Sequence, residues 1–150
     1  MDRVVGAVDA VAEGTGEDII VQAAAFGLTP RYARMAGVVP HQRLDGWVQS
    51  ARAIVTHGGP GSVMLALAAG KVPLVVPRDP ARGEHVDDHQ MRFVRWLATR
   101  RPIVAVFDVS DLADLLRGDH TIDAVESAAV AGVVLRLREL TGGRDRRVRK

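Results

Sequence analysis

The sequence contains no cysteine, and this absence removes several kinds of site. Disulfide frameworks, cysteine-ligated zinc centres and thiol nucleophiles all require a residue that the chain does not have. The absence of cysteine is typical of proteins in a reducing compartment, so we expect a cytoplasmic protein.

Aromatic residues and long apolar runs are also scarce. Aromatics make up 4% of the chain and 18 of the 20 basic residues are arginine, with no pattern of alternating aromatic and basic residues. Base-stacking surfaces need such a pattern, so we expect no nucleic-acid partner. The longest apolar stretches, such as residues 128–135, are much shorter than the roughly 20 residues that cross a bilayer. No membrane span is predicted, and the first residues do not resemble a signal peptide.

The net charge is only +2, but the excess of basic over acidic residues lies largely at the carboxyl end. Between Arg144 and Lys150 there are five basic residues against Asp145. We therefore divide the chain into a domain, residues 1–141, and a basic tail, residues 142–150. Such a tail can lie against an anionic membrane surface or be a solvated, frayed terminus.

The order of apolar patterns predicts an α/β fold. Val4, Val8 and Val11 recur at helical spacing, and glycines at 14 and 16 end that helix before a buried strand near Ile19. Further short β-branched runs alternate with segments of helical period. The predicted strands are 53–56, 74–76 and 103–107, and the predicted helices are 42–50, 61–69, 85–100, 111–116 and 122–140.

This alternation is typical of a Rossmann-like parallel sheet with helices on both faces. Domains of this kind normally open with a buried strand, whereas this chain opens in a helix. We therefore expect the first strand of the sheet to be missing.

The first candidate site is the segment from Thr56 to Ser62, between a predicted strand and a predicted helix. Its glycines allow positive φ and close backbone approach, and the helix that follows directs its positive end toward the same place. Such a turn can hold a diphosphate, or it can be a tight turn with no ligand. No G-x-G-x-x-G pattern is present, and Gly70-Lys71 is followed by Val72, so ATP and NAD are disfavoured.

The second candidate is the polar segment from Arg82 to Gln90, which follows another strand. Its carboxylate and amide groups suit sugar hydroxyls, although acidic residues also favour a solvated helix start. His85 and His89 have the spacing of a two-histidine metal pair. Because neither a third ligand nor a zincin glutamate is apparent, we expect no metal and no cofactor.

Together, three segments resemble a known family. They are Thr56–Ser62, Leu67–Arg78 and Gly83–Gln90, which includes Asp-Asp-His-Gln. They look like the donor-binding C-terminal domain of GT-B glycosyltransferases of family 28, over roughly Met1 to Leu116. The chain most resembles the small single-domain subunits of exopolysaccharide and dolichol-linked oligosaccharide synthesis, and so one half of a GT-B enzyme.

The resemblance implies roles for individual residues. The glycine turn would hold the donor diphosphate, and the Asp-His-Gln segment would reach the sugar. The loop that contains Val39 and Pro40 corresponds to the place where the family holds uracil. The implied diphosphate residues are His57, Gly58, Gly59, Gly61 and Ser62, and the implied sugar residues are Asp88, His89 and Gln90.

The chain departs from the family pattern at three places. Leu65 stands where relatives usually have a glutamate that grips the ribose. Gln22 is followed by Ala23 and Ala24 rather than by a Thr-Gly pair. Relatives also begin with a buried strand and a second glycine-rich loop, so the resemblance implies that about a dozen residues are absent before Met1.

The resemblance implies the donor-binding subunit of an inverting UDP-sugar glycosyltransferase, with UDP-GlcNAc or a UDP-hexose as donor. A lipid-linked acceptor and a membrane-associated acceptor subunit would be its partners, at the inner face of the membrane. The catalytic base is expected outside this chain. A noncatalytic stabilising subunit is the alternative, and a single-chain epimerase is disfavoured by the length.

Overall fold

The computed structural model describes residues 1–23 and 27–118. The predicted helix 122–140 and the tail 142–150 lie outside the described residues. The helices are α1 (Asp2–Thr15), α2 (His41–Ser50), α3 (Pro60–Ala68), α4 (His89–Ala98) and α5 (Leu112–Arg117). The strands are β1 (Ile20–Gln22), β2 (Arg34–Ala36), β3 (Val55–His57), β4 (Leu74–Val76) and β5 (Val104–Ala105).

All strand pairs in this part of the chain are parallel, which confirms the α/β fold class. They form two hydrogen-bonded sheets, β1–β2 and β3–β4–β5. In the second sheet, Leu74 of β4 lies opposite Val55 of β3 on one side and Val104 of β5 on the other.

Strand β4 is the centre of the hydrophobic core. Leu74, Val75 and Val76 are completely buried. Leu74 and Val76 belong to a cluster that contains residues of α1 and α5, whereas Val75 belongs to a cluster with residues of α3 and α4. Successive strand residues point to opposite faces, so helices cover both faces of this sheet as predicted.

Helix α1 forms for the reasons visible in the sequence. Val5, Val8 and Val11 are buried on one side of the helix. Gly16 ends it with φ 71°, and its N–H donates to the Ala12 carbonyl, an arrangement that favours glycine. Among the described helices, none is long and apolar enough to cross a membrane.

Strand β2 and helix α4 differ most from the prediction. Strand β2 was not predicted, because Arg34 and Met35 are exposed and the segment has no apolar alternation. Helix α4 begins at His89 rather than at His85. The Asp87 carboxylate accepts the His89 N–H at 3.1 Å, so residues 85–88 form a polar bend ahead of the first helical turn.

Candidate active site

The two polar segments meet at the carboxyl edge of the β3–β4–β5 sheet. Strand β3 ends at His57 and leads through two glycines into α3. Strand β4 ends at Val76 and is followed by Pro77 and Arg78. Because the strands are parallel, both exits lie at one edge, which is where α/β domains bind ligands.

The His57 ring is held in one tautomer by the turn that follows it. Its Nδ1 accepts the Gly59 N–H at 2.8 Å, so the proton of the neutral ring is on Nε2. Burial, assisted by the positive charge of Arg78, lowers the pKa of His57 below its ordinary value of 6.5. At neutral pH the side chain is therefore an uncharged donor through Nε2–H.

Gly58 and Gly59 of the turn are required for close packing and not for backbone conformation. Among the described residues, only glycines 16, 70 and 83 have positive φ, so the turn does not use the left-handed backbone that its glycines allow. A Cβ on Gly58 would lie 2.8 Å from Val94 Cγ2 and 3.4 Å from Pro77 Cα. A Cβ on Gly59 would lie 2.7 Å from His57 Nδ1. The turn therefore packs directly on α4 and on the His57 ring.

The first turn of α3 offers hydrogen-bond donors. Pro60 occupies the first turn, where its missing N–H costs nothing, and no side chain caps the helix. Within the described residues, the N–H groups of Gly61 and Ser62 have no hydrogen-bond acceptor. The space beside the Gly61 Cα is open. Two adjacent N–H groups at the positive end of a helix can bind an anion.

Gln90 lies beneath this edge and holds the strand exit in place. It is buried, and its Oε1 accepts the Arg78 N–H at 3.1 Å. Arg78 in turn lines the same cleft as His57 and Ser62. The sequence analysis did not single out Arg78. The signal that could have identified Arg78 is its position just after the buried strand β4, level with the glycine turn.

Asp88 and His89 are exposed at the start of α4. Asp88 forms an ion pair with Arg92, with 3.1 Å between the carboxylate and Nε. His89 Nδ1 contacts the Asp87 carboxylate, which also lies 3.3 Å from His85 Nδ1. These contacts lower the pKa of Asp87, chiefly through the hydrogen bond with His89. His85, Asp87 and His89 thus form a cluster whose metal-ligating atoms lie within 4.8 Å of one another.

A large cleft runs along the inner side of β3. Its volume is about 1070 Å³, and His57, Ser62 and Arg78 are among its lining residues. Leu65 lines it too, as does Val38. The predicted uracil residues Val39 and Pro40 follow Val38 but are not among the lining residues, and neither are Asp88, His89 and Gln90. Of the diphosphate candidates, His57 and Ser62 line the cleft, whereas Gly58, Gly59 and Gly61 of the same turn do not.

Glu84 is a further residue that the sequence analysis left without a role. The Arg3 guanidinium donates to both of its carboxylate oxygens at 3.0 Å, and the Asp79 N–H donates at 3.0 Å. The Met1 amino group lies 3.0 Å away. Burial alone would raise the pKa of Glu84, but these donors outweigh it and lower the pKa to about 2. An ionised carboxylate held by three donors anchors α1 and is not a proton acceptor.

The fold and this edge define a Rossmann-like α/β domain with a glycine-rich turn at the carboxyl end of β3. Residues 32–118 match the sequence model of the glycosyltransferase family 28 C-terminal domain. The chain belongs to this family, and it carries a glycosyltransferase donor-binding domain. The match includes both candidate segments and begins at residue 32, after α1 and β1. No curated protein matches the chain.

Proposed function

We propose that the chain is the donor-binding subunit of an inverting UDP-sugar glycosyltransferase. One observation carries this proposal. The unpaired N–H groups of Gly61 and Ser62, the Nε2–H of His57 and the charge of Arg78 share one edge of the sheet.

The chemistry of that edge suits a departing diphosphate. When the bond between the sugar and the diphosphate breaks, negative charge grows on the phosphate oxygens, and fixed donors stabilise it. A neutral His57 can donate the proton on its Nε2 to a phosphate oxygen in a hydrogen bond, and Arg78 supplies a positive charge. The residues proposed to bind the diphosphate are His57, Gly58, Gly59, Gly61 and Ser62.

The remaining parts of the donor are assigned to the neighbouring segments. Asp88, His89 and Gln90 are proposed to select the sugar. The backbone of Val39 and Pro40 is proposed to hold the uracil base.

The acceptor and the base that activates it are proposed to come from a second subunit. One GT-B half forms one wall of a cleft, and bimolecular transfer depends on holding both substrates in a fixed orientation. A membrane-associated partner that binds a lipid-linked acceptor would place the chain at the cytoplasmic face of the membrane, in polysaccharide or lipid-linked oligosaccharide synthesis. The assay is transfer of labelled sugar by the chain alone and with its partner, and robust transfer by the chain alone would contradict this assignment.

Titration of UDP into Gly61→Val tests the diphosphate site. We expect UDP affinity to fall at least about tenfold, because a branched side chain beside the two N–H groups obstructs phosphate approach. Gly46→Val is the matched control, since Gly46 also lies in a helix with nothing within 4 Å of its Cα substituent position. Unchanged affinity in a folded Gly61→Val protein would exclude the turn as the phosphate site.

Leu65 supports a second candidate, a noncatalytic subunit that no longer binds nucleotide. Its apolar side chain lines the cleft where the resemblance leads us to expect a ribose-binding glutamate. Titration of UDP into the wild-type chain separates the two functions, because the noncatalytic subunit does not bind it. Leu65→Glu should then increase UDP affinity if only the ribose contact has been lost.

A further inference from the structure

The polar bend ahead of α4 brings together three side chains that can ligate a metal. The sequence shows the spacing of His85 and His89, but it does not identify a third ligand. In the structure the Asp87 carboxylate contacts both histidines, and one ligating atom from each of the three residues lies within 4.8 Å of the others. Three protein ligands are the number found in zinc sites that keep one position open.

The spacing of these atoms suits a small divalent cation. Zn²⁺ binds imidazole nitrogen and carboxylate oxygen at about 2.0–2.2 Å, so two ligands of a tetrahedral site lie about 3.3–3.6 Å apart. His85 Nδ1 lies 3.3 Å from Asp87 Oδ1. His89 Nδ1 contacts the same oxygen more closely, so an ion would displace the His89 ring slightly. That side chain is half exposed and has room to turn.

The charge of the Asp87 carboxylate is not taken up by a permanent cation. Within residues 1–23 and 27–118, its ion-pair partners are His85 and His89, and no arginine or lysine pairs with it. The neighbouring Asp88, by contrast, pairs with Arg92. The Asp87 carboxylate can therefore join two imidazoles in ligating a cation without first giving up an arginine or lysine partner.

The backbone of the bend holds these ligands near one another. Asp87 Oδ1 accepts the His89 N–H at 3.1 Å, which fixes the carboxylate relative to the first turn of α4. The Asp87 N–H donates to His85 Nδ1 at 3.4 Å, a long hydrogen bond that a metal bond to the same nitrogen would replace. The His85 side chain is only 21% exposed, whereas Asp87 and His89 are about half exposed. An ion held here would thus be reached from solvent on one side.

We propose that His85, Asp87 and His89 bind a divalent transition-metal ion of the zinc class, through two imidazole nitrogens and one carboxylate oxygen, with a further position open to water. Imidazole ligands favour Zn²⁺, Co²⁺ or Ni²⁺ over Mg²⁺ and Ca²⁺, which prefer oxygen ligands. The bound ion would fix the bend to the start of α4. This inference goes beyond donor binding and does not rest on it, because its evidence is the geometry of this cluster.

The test titrates Co²⁺ and then Zn²⁺ into the full chain, without a purification tag and without nucleotide. We expect one Co²⁺ per chain, with the strong visible absorption of a site of low coordination number, and displacement by Zn²⁺. Zn²⁺ at about 100 times its Kd should raise the Tm by at least about 5 °C, because it binds the folded state. A failure of UDP binding leaves these measurements unaffected.

Two variants remove a ligand, and a third is the matched control. His85→Ala and Asp87→Asn should each weaken Zn²⁺ binding at least about tenfold, since loss of a residue that merely supports a ligand already costs about 10–100-fold. The asparagine oxygen can still accept the His89 N–H, so Asp87→Asn preserves the bend. His41→Ala should not change the affinity, because His41 pairs with Asp45 at 2.9 Å in an exposed pair that belongs to no three-ligand cluster among the described residues.

Three results would overturn the proposal. Equal Zn²⁺ affinity in the wild type, His85→Ala and Asp87→Asn would place the ion elsewhere on the chain. A wild-type Kd weaker than about 1 mM would show only the casual binding of exposed histidines. Tighter binding of Mg²⁺ than of Zn²⁺ would indicate an oxygen site that does not use the two imidazoles.

Discussion

The carboxylate of Glu84 should control the acid stability of the protein. Its pKa is lower in the folded state than in the unfolded chain, so its contribution is present above pH 4.5 and is lost as the pH falls toward 2. Lowering the pKa from 4.5 to about 2 corresponds to about 3.4 kcal/mol at 1.36 kcal/mol per pKa unit. Because the desolvation of Arg3 offsets part of this gain, we expect about 2 kcal/mol.

Urea unfolding of the wild type and Glu84→Gln, measured from pH 7 to pH 2, tests this expectation. At pH 7 the variant should be about 2 kcal/mol less stable, because Arg3 loses its charged partner in a largely buried place. The difference should shrink between pH 5 and pH 2, as the wild-type carboxylate is protonated.

Asp18→Asn is the matched control, since Asp18 also pairs with an arginine, Arg34, but both side chains are about two-thirds exposed. It should change the pH profile much less. A stability difference between wild type and Glu84→Gln that stays constant from pH 7 to pH 2 would refute the reasoning, because the loss would then come from packing and not from charge.

Three further changes probe the turn, the strand exit and the start of β2. Gly58→Ala should lower the free energy of unfolding by about 1–3 kcal/mol because the added methyl group overlaps with Val94, whereas Gly61→Ala should not. The check is the double variant Gly58→Ala/Val94→Ala, in which part of the stability lost through this overlap should be recovered. Gln90→Ala should lower the free energy of unfolding by about 0.5–1.5 kcal/mol, because its hydrogen bond to Arg78 is lost. It should also weaken UDP-sugar binding more than UDP binding, and equal losses for both ligands would contradict the assignment of Gln90 to the sugar. The Asp9 carboxylate accepts the N–H groups of residues 31–33, and these hydrogen bonds lower its pKa. Asp9→Ala should therefore speed hydrogen exchange at residues 31–33 and not in α4, whereas uniform acceleration would indicate global destabilisation.

Most of the fold could be predicted because its buried elements have distinct periods. The valines of α1 and the buried run of β4 are visible as a helical stripe and a continuous apolar strand. Strand β2 could not be predicted, since it is an exposed edge whose ladder partner, β1, is known only from the structure. The break between the two sheets could not be predicted either, because it depends on which strands pair. The helical opening of the chain nevertheless led to the expectation of a missing strand. That expectation stays a prediction.

The position of the candidate site could be predicted from the sequence, but the contacts that its residues make could not. The glycine turn was found by its position between a strand and a helix. The reason for Gly58 is its contact with Val94, which lies 36 residues further along the chain and has no local signal. The role of Gln90 as a support for Arg78 was equally hidden, because a side chain that bonds to a distant backbone group leaves no pattern in spacing.

The absence of room beside Gly58 has a mechanical consequence. The β3–α3 turn cannot shift toward or away from α4 without opening a void or a clash at Val94, and Gln90 ties the β4 exit to the same helix. The two segments proposed to bind the phosphates and the sugar therefore move as one rigid block. Any closure around a bound donor must therefore come from other parts of the protein or from a partner, and the rate of closure is not set by this sheet edge.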